Sequence, residues 1–151
     1  MNYIKLNSFG DVDKAKFKEL VYSGFGKSLM DNYFEYVKPK ILHLIQDDHE
    51  DYIGAVVLEE FKPCQFYLDK LVVAKEYQKN GIGKKLWSNV VEGSDKLVWR
   101  AKPENPINNM YVEKCEGMQK FEPWFVYWIG LNPTELVDSI YYALNKKPTL
   151  I

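Results

Sequence analysis

The stretch "YLDKLVVAKEYQKNGIGKKLW", residues 67–87, decides how this chain folds. Its first half belongs to a β-rich run, "CQFYLDKLVV" (64–73), which reads as a strand. Its second half changes period. Ile82, Leu86, Trp87 and Val90 recur on one side of a helix from about Gly81 to Val91. Between the two lies a loop with Gly81 and Gly83, preceded by Gln78 and flanked by Lys79, Lys84 and Lys85. A strand that passes through a glycine loop into a helix is the first half of a β-α-β crossover.

Upstream, "YIKL" opens as a strand, and "DVDKAKFKELVYSGF" (11–25) is a helix. Asp11 or Asp13 is its N-cap, and Ala15, Phe17, Leu20 and Val21 form its apolar face. "DNYFEYV" is a second short helix, stopped before Pro39. "ILHLIQ" (41–46) and "YIGAVVLEEF" (52–61) are strands joined by the acidic turn "DDHED", an antiparallel hairpin. Downstream, "KLVWRAK" (96–102) is a strand and "NPINNMYVEKCE" starts a helix near Pro106. "MQKF" and "WFVYWIGL" are strands, and "PTELVDSIYYAL" is a last helix with Pro133 at its start. The order β-α-α-β-β-β-α-β-α-β-β-α predicts one α/β (α+β) domain, its sheet mixed but mostly antiparallel and flanked by helices.

Composition narrows the function. Of 151 residues, 46% are apolar and 27% charged, which is a globular balance. The net charge of -1 argues against a nucleic-acid partner, so any basic site must be local. No apolar run reaches the roughly 20 residues that span a bilayer, and no secretory or transit segment is present, so no membrane role is expected. Cys64 and Cys115 form no metal-ligand spacing with His43 or His49. They read as buried or idle thiols of a reducing compartment, and no metal is expected. The chain starts almost at once with a strand and stops at "NKKPTLI" just past a helix, as an excised domain of a longer protein would.

The loop at 78–84 has the chemistry of an anion site. The first turn of a helix has unpaired N–H groups and about half a positive charge from the macrodipole. Glycines at 81 and 83 remove Cβ atoms that would hold a ligand away. A P-loop needs four residues between its glycines and a following Lys-Ser/Thr, and a dinucleotide turn needs a third glycine where this chain has Leu86. The plain alternative is a glycine-rich turn with solvated lysines.

Gln78-x-x-Gly81-x-Gly83 after the "DKLVV" strand resembles the acetyl-CoA signature of the GNAT N-acetyltransferases. The resemblance implies that Leu71, Val72 and Val73 offer backbone groups to the pantetheine arm and thioester. It implies that Gln78, Lys79, Asn80, Gly81, Ile82, Gly83 and Lys84 hold the pyrophosphate of acetyl-CoA, the co-substrate. A closer resemblance adds "LVWRAKPENPINNMYVEKCEG", "WFVYWIGL" and, upstream, "FGKSLMDNYFEYV". It covers about residues 22 to 131 and is to the acetyltransferase domain of N-acetylglutamate synthases. That domain is also fused to amino-acid kinase domains in bifunctional synthase/kinases and in some acetylglutamate kinases.

This closer resemblance implies a GNAT fold, a role in arginine biosynthesis, and acetyl transfer to the amine of L-glutamate to give N-acetylglutamate. It places the glutamate-binding cations at Lys27, Lys70 and Arg100, with further contacts across Ala101, Lys102, Pro103, Glu104 and Asn105. The residues agree in kind. A dianionic substrate needs cations, and Lys70 and Arg100 each sit in an apolar strand. Internal pairing is the alternative, Lys70 with a nearby carboxylate such as Glu104, or Arg100 with Glu113. Tyr111 is the candidate acid for the departing CoA sulfur, with a packed aromatic as its alternative. His43 and His49 are more simply structural or exposed, so no general base stands out. Synthases usually show Arg-Ser-Arg where this chain has Arg100-Ala101-Lys102, and Pro-Trp where it has Asn109-Met110. Those departures favour a second reading, a regulatory domain of an acetylglutamate kinase that binds glutamate or N-acetylglutamate and contributes to arginine feedback. The expected partners are an upstream kinase domain and copies of the same domain in a homo-oligomer, for which "WFVYWIGL" would be an exposed surface. The expected location is the mitochondrial matrix in a eukaryote or the cytoplasm in a bacterium.

Overall fold

A computed structural model describes residues 1–151. The elements run β1 (Asn2–Leu6), α1 (Lys14–Phe25), α2 (Tyr33–Tyr36), β2 (Ile41–Gln46), β3 (Tyr52–Lys62), β4 (Gln65–Val73), α3 (Ile82–Gly93), β5 (Leu97–Ala101), α4 (Asn108–Lys114), β6 (Gly117–Phe121), β7 (Trp124–Ile129) and α5 (Pro133–Asn145). A single turn of 3-10 helix, Lys75–Tyr77, follows β4. The seven strands form one sheet in the order β1-β2-β3-β4-β5-β7-β6. β4 and β5 pair in parallel across α3, the expected crossover. The registers of β1 with β2, β2 with β3, β5 with β7 and β6 with β7 are antiparallel.

The helices start where their side chains can cap them. Asp13 accepts from the Lys16 amide at the head of α1. At α5, Asn132 and Glu135 form a reciprocal capping box with Pro133 in the first turn. The apolar face of α3 is buried at Ile82, Leu86, Trp87 and Val90. On α1 it is Phe17, Leu20 and Val21, whereas Ala15 is exposed because the first turn of the helix stands clear of the core.

The chain divides into two compact units. The first holds Met1–Glu59, Asp69–Gly93 and Pro148–Ile151. At its core Phe9 and Phe34 meet Phe17 and Tyr33 edge to face or tilted, Phe17 lies nearly parallel to Tyr33, and Leu42, Leu44 and Ile45 are fully covered. The second holds Glu60–Leu68 and Ser94–Lys147. Its core is Tyr67, Val98, Val126 and Ala143, with Phe61 stacked on Tyr142 at a ring distance of 4.3 Å.

Three expectations need correction. The strand "WFVYWIGL" is not an exposed surface: β7 lies inside the sheet, with Val126 and Tyr127 buried, and β6 takes the border. Of the two readings of the thiols, buried or idle, burial does not hold: Cys64 is exposed and Cys115 half-buried, both free. Cys64 also lies outside its predicted strand, because it takes φ 60° in the turn between β3 and β4.

Candidate functional site

In the first unit, β4 delivers the chain to the glycine loop through buried Leu71, Val72 and Val73. The side-chain amide of Gln78 donates to the carbonyls of Val73 at 3.0 Å and Gly24 at 3.4 Å. Gln78 therefore ties the loop to the ends of β4 and α1. Lys79 and Gly81 both take left-handed conformations, φ 74° and φ 84°. That geometry is ordinary for glycine and costly for lysine, and between the two the Asn80 amide donates to the Tyr77 carbonyl at 3.3 Å. The amide of Lys85 closes the first turn of α3 on the Gly81 carbonyl at 3.1 Å. The amides of Ile82, Gly83 and Lys84 come ahead of that bond, where a helix has donors to spare.

A Cβ added at Gly81 would meet nothing within 4 Å, and one added at Gly83 would only just reach Val73, at 4.0 Å. Side chains there would fill open space beside the amides. The loop thus fits a phosphate-bearing ligand through its backbone. Lys79, Asn80 and Lys84 are exposed, so the lysines add diffuse positive charge. The Ile82 side chain is 5% exposed and faces the core, which leaves its amide as the only group it offers.

Lys70, on β4, is also buried, at 5% exposure. Its ammonium bonds to Thr149 Oγ1 at 2.6 Å and lies 3.6 Å from Asp69 Oδ2. It sits 5.1 Å above the Tyr33 ring, and the Tyr33 hydroxyl donates to Asp69 at 2.6 Å. Asp69 therefore balances the charge within the unit, as a nearby carboxylate was expected to. Half-buried Lys27 lies in the loop after α1, next to an isolated antiparallel bridge between Leu29 and Leu150.

In the second unit, Arg100 on β5 donates to the carbonyls of Ala143 at 2.9 Å and Lys147 at 3.1 Å. Its guanidinium stacks 3.8 Å from the centre of the Trp124 ring. Its partners are thus a last-turn carbonyl of α5 and the Lys147 carbonyl just beyond the helix, where a cation also suits the helix dipole, and not Glu113. Ala101 is buried; the Lys102 ammonium lies 4.8 Å over Trp124; Pro103 and Glu104 are exposed. Asn105 accepts from the Ile107 amide at 2.8 Å and shapes the turn into α4.

Tyr111, on α4, is 3% exposed, packed against Trp99 and Tyr127 with ring distances of 5.4 Å to each. Burial, reinforced by Tyr127, raises its phenol well above the ordinary range, so it keeps its proton throughout neutral pH. His43 is half-buried on β2 and held below its ordinary value by burial and then by Lys5. His49 is an exposed turn residue whose amide donates to Asp47. Neither imidazole belongs to the features above. No group of three or more His, Cys, Asp and Glu residues is placed to hold a metal ion.

Four residues of these clusters escape a reading of the sequence. Asp69 had a visible signal, a carboxylate next to a lysine in an apolar strand. Trp124 and Thr149 had none, since only the fold brings them to Arg100 and Lys70. Asn108 is the fourth. Its amide nitrogen donates to the carbonyls of Lys102 and Pro103, and its oxygen accepts from Tyr127, so it organises the whole 102–108 turn.

Comparison with known proteins agrees with the strand, loop and helix geometry. Residues 4–147 match the family described as NAT, N-acetyltransferase, of N-acetylglutamate synthase. An acetylglutamate kinase of Xanthomonas campestris pv. campestris is 29% identical over 98% of this chain and 35% of its own length. The mitochondrial N-acetylglutamate synthase of Homo sapiens is 28% identical over 85% of this chain and 24% of its own. The chain thus spans about a third, or less, of these relatives. An acetyltransferase of the GNAT family from Staphylococcus aureus superposes with a TM-score of 0.66 at 15% identity, over 87% of this chain and 100% of the other, and so shares its fold. Matched along nearly its whole length, the chain belongs to the NAT family, the N-acetyltransferase of N-acetylglutamate synthase.

Proposed function

We propose that this domain binds acetyl-CoA and transfers its acetyl group to the amine of L-glutamate, giving N-acetylglutamate for arginine biosynthesis. The observation that carries the reading is the 78–84 loop. Two left-handed residues, two glycines with open space and the head of α3 make a backbone cradle for a pyrophosphate. Glutamate as acceptor is supported by family membership.

Acetyl-CoA supplies the acyl group and a thiol leaving group. In this proposal Lys79, Asn80, Gly81, Ile82, Gly83 and Lys84 hold the diphosphate, while Gln78 keeps the loop in place. Leu71, Val72 and Val73 align the thioester. Lys27, Lys70 and Arg100 receive the carboxylates, supported by the 101–105 turn. Tyr111 is the candidate proton donor for the leaving sulfur, and the burial that raises its pKa makes it a weaker acid than an ordinary phenol, so donation requires its surroundings to open.

The test is direct. Folded protein is mixed with acetyl-CoA and glutamate, and N-acetylglutamate is measured by mass spectrometry alongside thiol release. Glutamate-dependent release is expected. A folded sample that binds acetyl-CoA and forms no product overturns the reading.

A second reading is favoured by the internal partners of Lys70 and Arg100 and by the "RAK" and "NNMY" departures. The domain would then bind glutamate or N-acetylglutamate without turnover and tune a fused amino-acid kinase, in keeping with the acetylglutamate kinase relatives. Ligand binding without product points to this role. For either reading we propose a parent chain with a kinase domain, a homo-oligomeric assembly, and the mitochondrial matrix or bacterial cytoplasm as its setting.

A further inference from the structure

Two of the three proposed acceptor cations, Lys70 and Arg100, bond to residues between 143 and 149. In the first unit, Thr149 accepts from Lys70 at 2.6 Å. In the second, Lys147 and Ala143 accept from Arg100 through their carbonyls. We infer that residues 148–151 are a displaceable strap that closes the acceptor site over Lys70, and that a small dicarboxylate amino acid must lift it to bind. The inference rests on the acetyl-transfer reading, in which Lys70 receives a carboxylate.

Lys70 is 5% exposed with the strap in place, so a carboxylate reaches its ammonium only when some cover moves. The strap is the cover with the lightest hold. It lies along Ser28–Met30 through one isolated bridge, Leu29 to Leu150. Three backbone bonds secure it: Ser28 to Ile151 at 3.1 Å, Ile151 to Ser28 at 2.8 Å and Met30 to Thr149 at 2.8 Å. Pro148 and Ile151 are exposed and Thr149 and Leu150 half-buried, so the strap is itself lightly packed, and lifting it uncovers chiefly Leu150 and the buried Leu29 across the bridge. By contrast, Asp69 and Tyr33 belong to the core of the unit.

The exchange at Lys70 has a favourable direction. Thr149 offers a neutral hydroxyl, whereas an incoming carboxylate makes a charge-assisted bond. The strap therefore satisfies the ammonium in the absence of ligand and yields to the right one. It also screens out acceptors that lack a carboxylate to trade for the hydroxyl.

A reversible staple tests this. Leu29 and Leu150 oppose each other between the bonded rungs, the close type of antiparallel pair with Cα atoms about 4.5 Å apart. That separation is within disulfide reach. Leu29→Cys with Leu150→Cys is made in a Cys64→Ser, Cys115→Ser background, and glutamate binding is titrated by calorimetry in the presence of acetyl-CoA. Oxidation is expected to weaken glutamate binding at least tenfold and leave acetyl-CoA binding alone, with reduction restoring it. A second variant, Thr149→Val, keeps the strap's backbone bonds and removes the hydroxyl, and is expected to tighten glutamate binding a few-fold. Equal glutamate binding in the oxidised and reduced forms, or binding in neither, overturns the strap. Binding that follows the staple while no variant forms N-acetylglutamate sustains the strap and overturns only the acetyl-transfer reading.

Discussion

Lys70, Asp69 and Tyr33 form a buried polar triad in which every charge has an answer. Removing one partner of such a pair strands the other, which commonly costs about 3–5 kcal/mol. A Lys70→Ala variant that loses activity would therefore report on folding before it reported on substrate. Gly81 gives a cleaner probe. At φ 84° a Cβ is strained by about 1–2 kcal/mol, and no neighbour lies within 4 Å to add a clash. Gly81→Ala is expected to lower stability in urea by that amount, and Gly81→Asn by less, since asparagine tolerates the left-handed region. Both place an atom in the cradle, so both should weaken acetyl-CoA binding about tenfold, a loss of about 1.4 kcal/mol. An unchanged dissociation constant in both would remove the cradle's role. The glycines were legible because their lack of a side chain is written in the sequence. The left-handed Lys79 was not, because a lysine there goes against local preference and is imposed by the turn around it. Nor was the Thr149 partner of Lys70, which lies 79 residues away and is brought near only by the fold.

At the scale of elements, α5 is fastened at both ends. Its head carries the Asn132–Glu135 capping box, and its tail is held by Arg100 through the Ala143 and Lys147 carbonyls. Hydrogen bonds from a charged donor are worth about 1.5–3 kcal/mol. Arg100→Gln is expected to lower thermal stability accordingly while acetyl-CoA affinity holds. Unchanged stability would mean that the Arg100 bonds contribute nothing to α5 and would return the residue to a purely ligand-binding role. The number and order of elements were legible because the hydrophobic period switches cleanly between strand and helix, as at Val73 and Ile82. Sheet order was not. β6 and β7 form an ordinary hairpin, and the aromatic content of "WFVYWIGL" does not say which of its two strands turns inward.

For the whole molecule, acid sensitivity has a named source. The Glu135 carboxyl is held below its ordinary value first by its hydrogen bond from Lys96, then by the Asn132 amide. A depressed folded-state value means that the carboxylate adds stability above about pH 4.5, which is lost as the pH falls through the folded value. Wild-type urea midpoints should therefore fall more steeply than those of Glu135→Gln between neutral pH and about pH 3, the amide keeping a side chain for the cap. Parallel curves would show that Glu135 is not the group responsible. Tyr111 has the opposite sign: its raised value favours the neutral phenol, so its contribution is complete below its ordinary value of 10.0 and fades as the pH climbs above it.

The borders of the sheet carry a further consequence. β1 and β6 are the outermost strands, each only five residues long, mostly exposed, and each bearing one lysine, Lys5 and Lys120. A short border strand with a cation is a poor template for adding another strand. Borders of this kind disfavour the strand-on-strand growth that builds fibres.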